Sequence, residues 1–79
     1  MNYIDGQKAL LGDEVLIAGK HKGNVVACID QGQYSSQYPA SDWSYLGEGA
    51  LVDTDFGGIV HYTNAENEHI VLVRRGVNL

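Results

Sequence analysis

The sequence predicts an all-β fold, a small, five-stranded, partly open barrel with at most one short helix in its long loop. Short apolar runs rich in β-branched residues recur between polar, glycine-containing turns, which is typical of small sandwiches and barrels. The chain has 79 residues and one cysteine, so we expect a single domain over 1–79 without an internal disulfide. Partial closure of so few strands hides their exposed edges best.

The β-hairpin over residues 50–62 is the clearest single element. Its two apolar runs flank Asp55-Phe56-Gly57-Gly58, a loop whose paired glycines adopt positive φ without steric cost. An earlier hairpin joins two further runs through a polar turn that has glycine at both ends, Gly19 and Gly23. The predicted strands therefore lie at residues 14–18, 24–30, 50–54, 59–62 and 70–74.

The second predicted strand is apolar on both faces. Simple alternation places Val25, Ala27 and Ile29 on one face and Val26 and Cys28 on the other. A strand with one solvated face alternates more cleanly between apolar and polar residues. We therefore expect the second face to be covered by the loops and the amino-terminal segment or by another chain, and a homo-oligomer is compatible with this pattern.

The connection over residues 31–49 is long for so small a domain, and connections of this length usually carry structure or function. Pro39 suits the first position of a helix, where its missing N–H costs nothing, so one short helix is expected here. Residues 1–11 are predicted to form a lead-in whose apolar side chains cover one end of the core. Residues 76–79 are predicted to form a tail.

The layout of charge is more informative than the net charge of −5. None of the five Lys and Arg residues lies between Gly23 and Val73, whereas seven of the ten acidic residues do. Phosphate binding needs clustered basic side chains, so we expect no nucleic acid partner. The acidic middle of the chain suits a basic protein partner, although solubility alone explains it equally well.

Two further features concern cellular location. No apolar run approaches the roughly 20 residues that span a bilayer, so no membrane association is expected. The amino terminus lacks the basic start and long apolar run of an export signal. Together with a free Cys28, these features predict a cytoplasmic protein.

The order of short motifs resembles that of an SH3-like barrel. Gly12-Asp13-x-Val15 starts one strand, Gly23-x-Val25-Val26 follows one hairpin later, and the remaining apolar pairs come after the long connection, so the resemblance covers roughly residues 12–75. Many small bacterial proteins look like this, including mobile gene-cassette products and toxin-immunity proteins. Type II dihydrofolate reductase is similar in size and barrel layout and carries Val-Gln-Ile-Tyr in a strand, and the nearest stretch in this chain is Ile59-Val60-His61-Tyr62.

The polar residues carry no catalytic, metal or cofactor signature, so no catalytic residue, metal or cofactor is predicted. The spacings of His21, His61 and His69 match no metal motif. Asp53 and Asp55 share one side of a strand. A contact between His61 and one of these carboxylates is a hypothesis, because opposed residues of a hairpin interact directly.

Aromatic residues are concentrated in the long connection, where four of the seven lie within twelve residues. Acidic residues are interleaved with them, and Tyr and Trp are enriched at interface hot spots. Trp43 either plugs an open end of the barrel or belongs to the contact surface. The predicted partner-binding residues are Tyr34, Tyr38, Asp42, Trp43, Tyr45, Asp53, Asp55 and His61.

These observations together predict a non-enzymatic protein-binding module that presents an acidic, aromatic surface to a basic partner. An immunity or antitoxin-type protein is the most specific version of this hypothesis. One alternative is an oligomeric small-barrel enzyme of the type II dihydrofolate reductase type, which needs a pore or cleft built from several copies. Another alternative is a structural accessory subunit of a larger complex.

Overall fold

The computed structural model describes residues 1–76, so residues 77–79 of the predicted tail lie outside it. The strands are β1 (Glu14–Ile17), β2 (His21–Cys28), β3 (Gln33–Tyr34), β4 (Ala50–Thr54), β5 (Gly58–Tyr62) and β6 (Ile70–Arg74). A short α-helix, α1, spans Ala40–Trp43, and two 3-10 turns span Ile29–Gln31 and Ser44–Leu46. The prediction of an all-β protein with one short helix is therefore confirmed.

All six strands belong to one antiparallel sheet. Five of them follow the order β5-β4-β2-β1-β6, and β3 pairs with β2 beside this path. The two predicted hairpins are present as β1–β2 and β4–β5. Within residues 1–76 the hydrogen-bonded sheet is not closed into a barrel, because β5 and β6 remain its two edges.

The predicted number of five strands is wrong by one, because the long connection contains β3. Gly32 adopts a left-handed conformation with φ +65° after the 3-10 turn Ile29–Gln31, and this turn brings β3 back against the end of β2. A two-residue strand is too short for side-chain alternation to reveal it. The helix also differs slightly, since α1 begins at Ala40 and Pro39 precedes it in an extended conformation.

A β-bulge at Val26 corrects the predicted faces of β2. Val25 pairs with Val52 and Ala27 pairs with Leu51, so two steps along β2 correspond to one step along β4. The extra residue reverses the alternation, as bulges do. Val25 consequently lies on the same side as Cys28, whereas Ala27 lies on the opposite side, together with the following Ile29.

The two faces of the sheet are covered by different parts of the chain. The main core contains Met1, Tyr3, Ala9, Val15, Ile17, Val25, Cys28, Ala50, Val52, Tyr62, Ala65 and Ile70. The second group, here called the outer cluster, contains buried Ala27, Ile29 and Leu51 under half-buried Val26, Tyr34, Tyr38, Trp43, Leu46 and Ile59. The long connection therefore covers the second apolar face.

Both hairpin turns differ in detail from the predicted ones. β2 begins at His21, so the first turn is shorter than predicted, and the buried Gly23 lies inside the strand. A Cβ on Gly23 would lie 2.6 Å from Cγ1 of Val52, so only glycine fits at this point of the sheet. In the second turn only Gly58 has a positive φ, of +70°, whereas Gly57 does not.

A buried carboxylate ties the lead-in and the carboxyl-terminal segment to the start of β1. The Oδ2 atom of Asp13 accepts hydrogen bonds from the Tyr3 hydroxyl at 2.6 Å, the Leu10 N–H at 2.9 Å and the Arg75 guanidinium at 2.7 Å. Asp13 is only 1% exposed. Its other oxygen, Oδ1, is buried without a hydrogen-bond partner among residues 1–76. This carboxylate network connects segments more than sixty residues apart.

The free energy of unfolding is expected to fall as the pH rises above about 10. Burial and the hydrogen bond to Asp13 raise the pKa of Tyr3 above its ordinary value. The unfolded chain then loses this proton before the folded chain does, so the stabilisation is fully present below the ordinary pKa and is lost progressively above it. The midpoint of urea unfolding, measured between about pH 9 and about pH 11, tests this expectation.

The matched variants are Tyr3→Phe and Tyr45→Phe. Tyr3→Phe removes the titrating proton and should make the free energy of unfolding fall less steeply with pH. Part of the fall should remain, because burial also raises the pKa of Cys28 and of Tyr62. Tyr45→Phe changes an exposed phenol and should keep the full slope. Identical slopes for Tyr3→Phe and the unmodified chain would contradict the assignment to Tyr3.

Candidate functional site

The long connection brings three of the four predicted aromatic residues onto the outer cluster. Tyr34 lies in β3. Tyr38 precedes α1 and Trp43 is its last residue, and the centres of their rings are 6.0 Å apart. All three are half-buried against Ala27, Ile29 and Leu51. Trp43 therefore covers the outside of the sheet, away from the main core, and leaves part of its surface exposed.

Tyr45 is different, because its side chain is 77% exposed. It lies in the 3-10 turn that follows α1, between half-buried Trp43 and Leu46. The turn is anchored by these two neighbours, so Tyr45 projects from an ordered layer. A large exposed aromatic side chain on such a layer is the kind of residue that forms interface hot spots.

Three exposed acidic residues border the outer cluster, and we call them the acidic rim. Asp42 precedes Trp43 in α1, Glu48 follows the turn that carries Tyr45, and Asp53 lies opposite Ile59 across β4 and β5. None of the ion pairs within residues 1–76 involves these three residues. Those pairs are Asp13–Arg75, Glu14–Arg74 and Asp30 with the amino group of Met1, and Asp55 contacts the ring of His21.

His61 connects β5 to the end of the long connection. Its Nε2 donates a hydrogen bond to the carbonyl oxygen of Glu48 at 2.7 Å, because a carbonyl can only accept. The register places His61 opposite Leu51 and Asp53 opposite Ile59. The hypothesised contact of His61 with Asp53 or Asp55 is therefore not found among the described residues, and His61 holds Glu48 in the acidic rim.

Asp55 lies apart from the other predicted site residues, in the turn between β4 and β5. Its Oδ2 accepts the Lys22 N–H at 3.0 Å, and its own N–H donates to the Lys22 carbonyl at 3.0 Å. The Oδ1 atom lies 3.2 Å from Nδ1 of His21, whose ring packs 4.6 Å from that of Phe56. Asp55 thus joins two turns at one end of the sheet, and Asp53 does not share its surroundings.

A cleft beside Tyr34 was missed by sequence reasoning. It has a volume of about 600 Å³. It lies along one edge of β2, between the part that pairs with β1 and the part that pairs with β3. Val26 and Leu11 contribute apolar walls, and the Ser35 hydroxyl, which also belongs to the lining, is buried without a partner among residues 1–76. The cleft lies beside the bulge at Val26, and the alternation of side chains along the sequence does not reveal a bulge.

Residues 1–76 contain no group of three or more His, Cys, Asp or Glu side chains placed to hold a metal ion. In that range, no helix has the length and apolar character that crossing a bilayer requires.

Comparison with known proteins does not assign the chain to a family. No protein-family model, no curated protein and no solved structure matches it.

Proposed function

We propose that this chain is a non-enzymatic protein-binding module that uses the outer cluster and the acidic rim to hold a basic protein partner. The proposal is carried by the 77% exposed Tyr45 together with the three exposed acidic residues of the rim, which have no ion pair within residues 1–76. Basic side chains on a partner would complement the rim, and Tyr45 would supply apolar contact area.

The cleft beside Tyr34 supports the same function. Interfaces concentrate their binding energy in a few anchor side chains that fill preformed pockets. A cleft of about 600 Å³, with apolar walls from Leu11 and Val26, accommodates such an anchor. An immunity or antitoxin-type role is the specific version that we propose, because an acidic, aromatic surface is suited to blocking a basic toxin.

The fold that presents this surface is, in our proposal, an SH3-like barrel that is partly open. The strand order β5-β4-β2-β1-β6 supports the assignment, because the first strand lies between the second and the last strand as in that fold. The strong bend that a bulge introduces at Val26 favours curling of the sheet around the main core.

The double variant Asp42→Asn with Glu48→Gln is expected to weaken binding of the partner by about fivefold. It removes two interfacial charge pairs, each of which contributes about 0.5 kcal/mol to the binding free energy. The partner is first captured on the immobilised chain at low salt and again at about 0.5 M salt, where exposed charges are screened. Its affinity for each variant is then measured by titration calorimetry.

The matched control is Glu66→Gln with Glu68→Gln, which removes the same two charges from an exposed connector outside the acidic rim. We expect this variant to bind as the unmodified chain does, because its charges do not border the outer cluster. Equal losses in both double variants would show that only net charge matters. Failure to capture a partner at either salt concentration would contradict the binding function itself.

A further inference from the structure

The outer edge of β6 carries a concentration of exposed apolar side chains. Among residues 1–76, three of the five large apolar side chains that are exposed are Ile4, Val71 and Val73. Val71 is 41% exposed and Val73 is 52% exposed. Ile4, Val71 and Leu72 line one cleft of about 190 Å³ together with Tyr3 and Asp5, so Ile4 and Val71 are neighbours, and Val73 lies two residues after Val71 on the same face of β6. Contiguous patches of this kind mark interaction sites.

Backbone hydrogen bonding shows which part of this edge is free. The Ala18 N–H donates to the His69 carbonyl at 3.1 Å, and the register of β1 and β6 continues from there to the pair of Val15 and Leu72. Beyond that pair the register shifts by one residue at Val73. The alternation of an antiparallel ladder then directs the backbone groups of Ile70 and Leu72 away from β1. The Ile70 N–H is already bonded to the Ala65 carbonyl at 2.9 Å. Leu72 is therefore the outward-facing residue that has no such bond before the register shift at Val73.

The charges that flank β6 are opposite at its two ends. Glu66 and Glu68 precede the strand and are exposed. Arg74 ends the strand and pairs with Glu14 of the same chain at 3.0 Å, but its side chain is 75% exposed and remains open to a further carboxylate. In an antiparallel pair of two such strands, the acidic end of one strand lies beside the basic end of the other. A second copy of the same chain is therefore electrostatically complementary to this edge.

We propose that two copies of the chain pair through β6, antiparallel to each other and centred on Leu72. The N–H and carbonyl groups of Leu72 would bond reciprocally across a two-fold axis, and each Val71 would face Val73 of the second copy. The pairing continues the sheet across both copies and removes an exposed edge. The outer cluster lies on a different part of each copy, so this inference does not depend on the proposed binding function.

The register is tested by disulfide formation between two single variants, Val71→Cys and Val73→Cys. A mixture of the two should form an intermolecular disulfide at least about tenfold faster than either variant alone, because neighbouring non-hydrogen-bonded pairs have the Cα separation that a disulfide needs. The native Cys28 is fully buried and does not compete. Equal rates for the mixture and the single variants would overturn the register.

The dimer itself is tested by light scattering on a sizing column. The mass is expected to rise with concentration from the 8.6 kDa of one chain towards twice that value. Val71→Lys with Val73→Lys should weaken the dimer by at least about tenfold, because facing like charges are destabilising. The matched control Tyr45→Lys with Phe56→Lys places the same charges on the other two exposed apolar positions and should leave the dimer intact.

Charge complementarity is tested by Glu66→Gln with Glu68→Gln, which should weaken the dimer, whereas Asp42→Asn with Glu48→Gln should not. Circular dichroism of each variant establishes that the strands are retained. A mass that stays at one chain for the unmodified protein at every concentration would overturn the proposal. A dimer that persists in Val71→Lys with Val73→Lys but dissociates in Tyr45→Lys with Phe56→Lys would place the contact on another surface. That result would overturn the proposal as well.

Discussion

Replacing Asp13 with alanine is expected to lower the free energy of unfolding by about 3 kcal/mol, because its buried carboxylate accepts three hydrogen bonds that contribute about 1 kcal/mol each. The substitution leaves the Tyr3 hydroxyl, the Leu10 N–H and the Arg75 guanidinium without their common acceptor. Small domains are stable by only about 5–15 kcal/mol in total, so the loss is a large fraction. Urea unfolding followed by circular dichroism measures it.

The adjacent residue provides the control for this experiment. Glu14 also pairs with an arginine, but Arg74 is 75% exposed, and exposed pairs contribute about 0–1 kcal/mol. Glu14→Ala should therefore cost less than about 1 kcal/mol. Asp13→Asn keeps the size of the side chain and should give an intermediate loss, which remains measurable if Asp13→Ala does not fold. Equal effects at positions 13 and 14 would contradict the role assigned to burial.

Replacing Gly49 with alanine is expected to destabilise the fold by about 3 kcal/mol, since a left-handed conformation costs other residues about 1–2 kcal/mol and overpacking adds about 1–3 kcal/mol. Gly49 has a φ of +90°, and a Cβ there would lie 2.3 Å from the Tyr62 carbonyl oxygen and 2.9 Å from Nε2 of His61. The methyl group would therefore separate the entry of β4 from the end of β5.

Gly47 is the matched control, two residues earlier in the same loop. Its φ is +82°, but a Cβ there would meet no atom within 4 Å. Gly47→Ala should therefore cost only the conformational part, about 1 kcal/mol. The midpoint of urea unfolding compares the two variants directly. If Gly47→Ala were as damaging as Gly49→Ala, the close approach to Tyr62 would not be the cause.

The hairpins were predictable because their signals are local. The apolar runs of β4 and β5 adjoin a turn containing Gly58, and the residues that pair across this turn are close in sequence. The same holds for β1 and β2, although Gly23 was assigned to the turn and lies in the strand. Gly23 is needed inside the strand because the Val52 side chain of β4 occupies the space that a Cβ would fill. No local sequence pattern indicates this close approach.

The candidate site was predictable in part. The aromatic residues of the long connection were identified from their spacing, and the structure places Tyr34, Tyr38 and Trp43 together on the outer cluster. Asp55 and His61 were grouped with them because both belong to one hairpin. The structure separates these two residues. Asp55 lies in the turn and accepts a hydrogen bond from the Lys22 N–H of β2, whereas His61 donates a hydrogen bond to the Glu48 carbonyl.

What the sequence determined by itself was the all-β class, the two hairpins and the absence of basic residues from Gly23 to Val73, because each depends on residue types and on neighbours along the chain. Only the tertiary structure decided which face Val25 and Ala27 occupy, because the bulge at Val26 is defined by pairing with β4. It also decided that Asp13 is buried, since its partners come from both ends of the chain. Contacts between distant segments set bulges and burial, and they leave no periodic signal in the sequence.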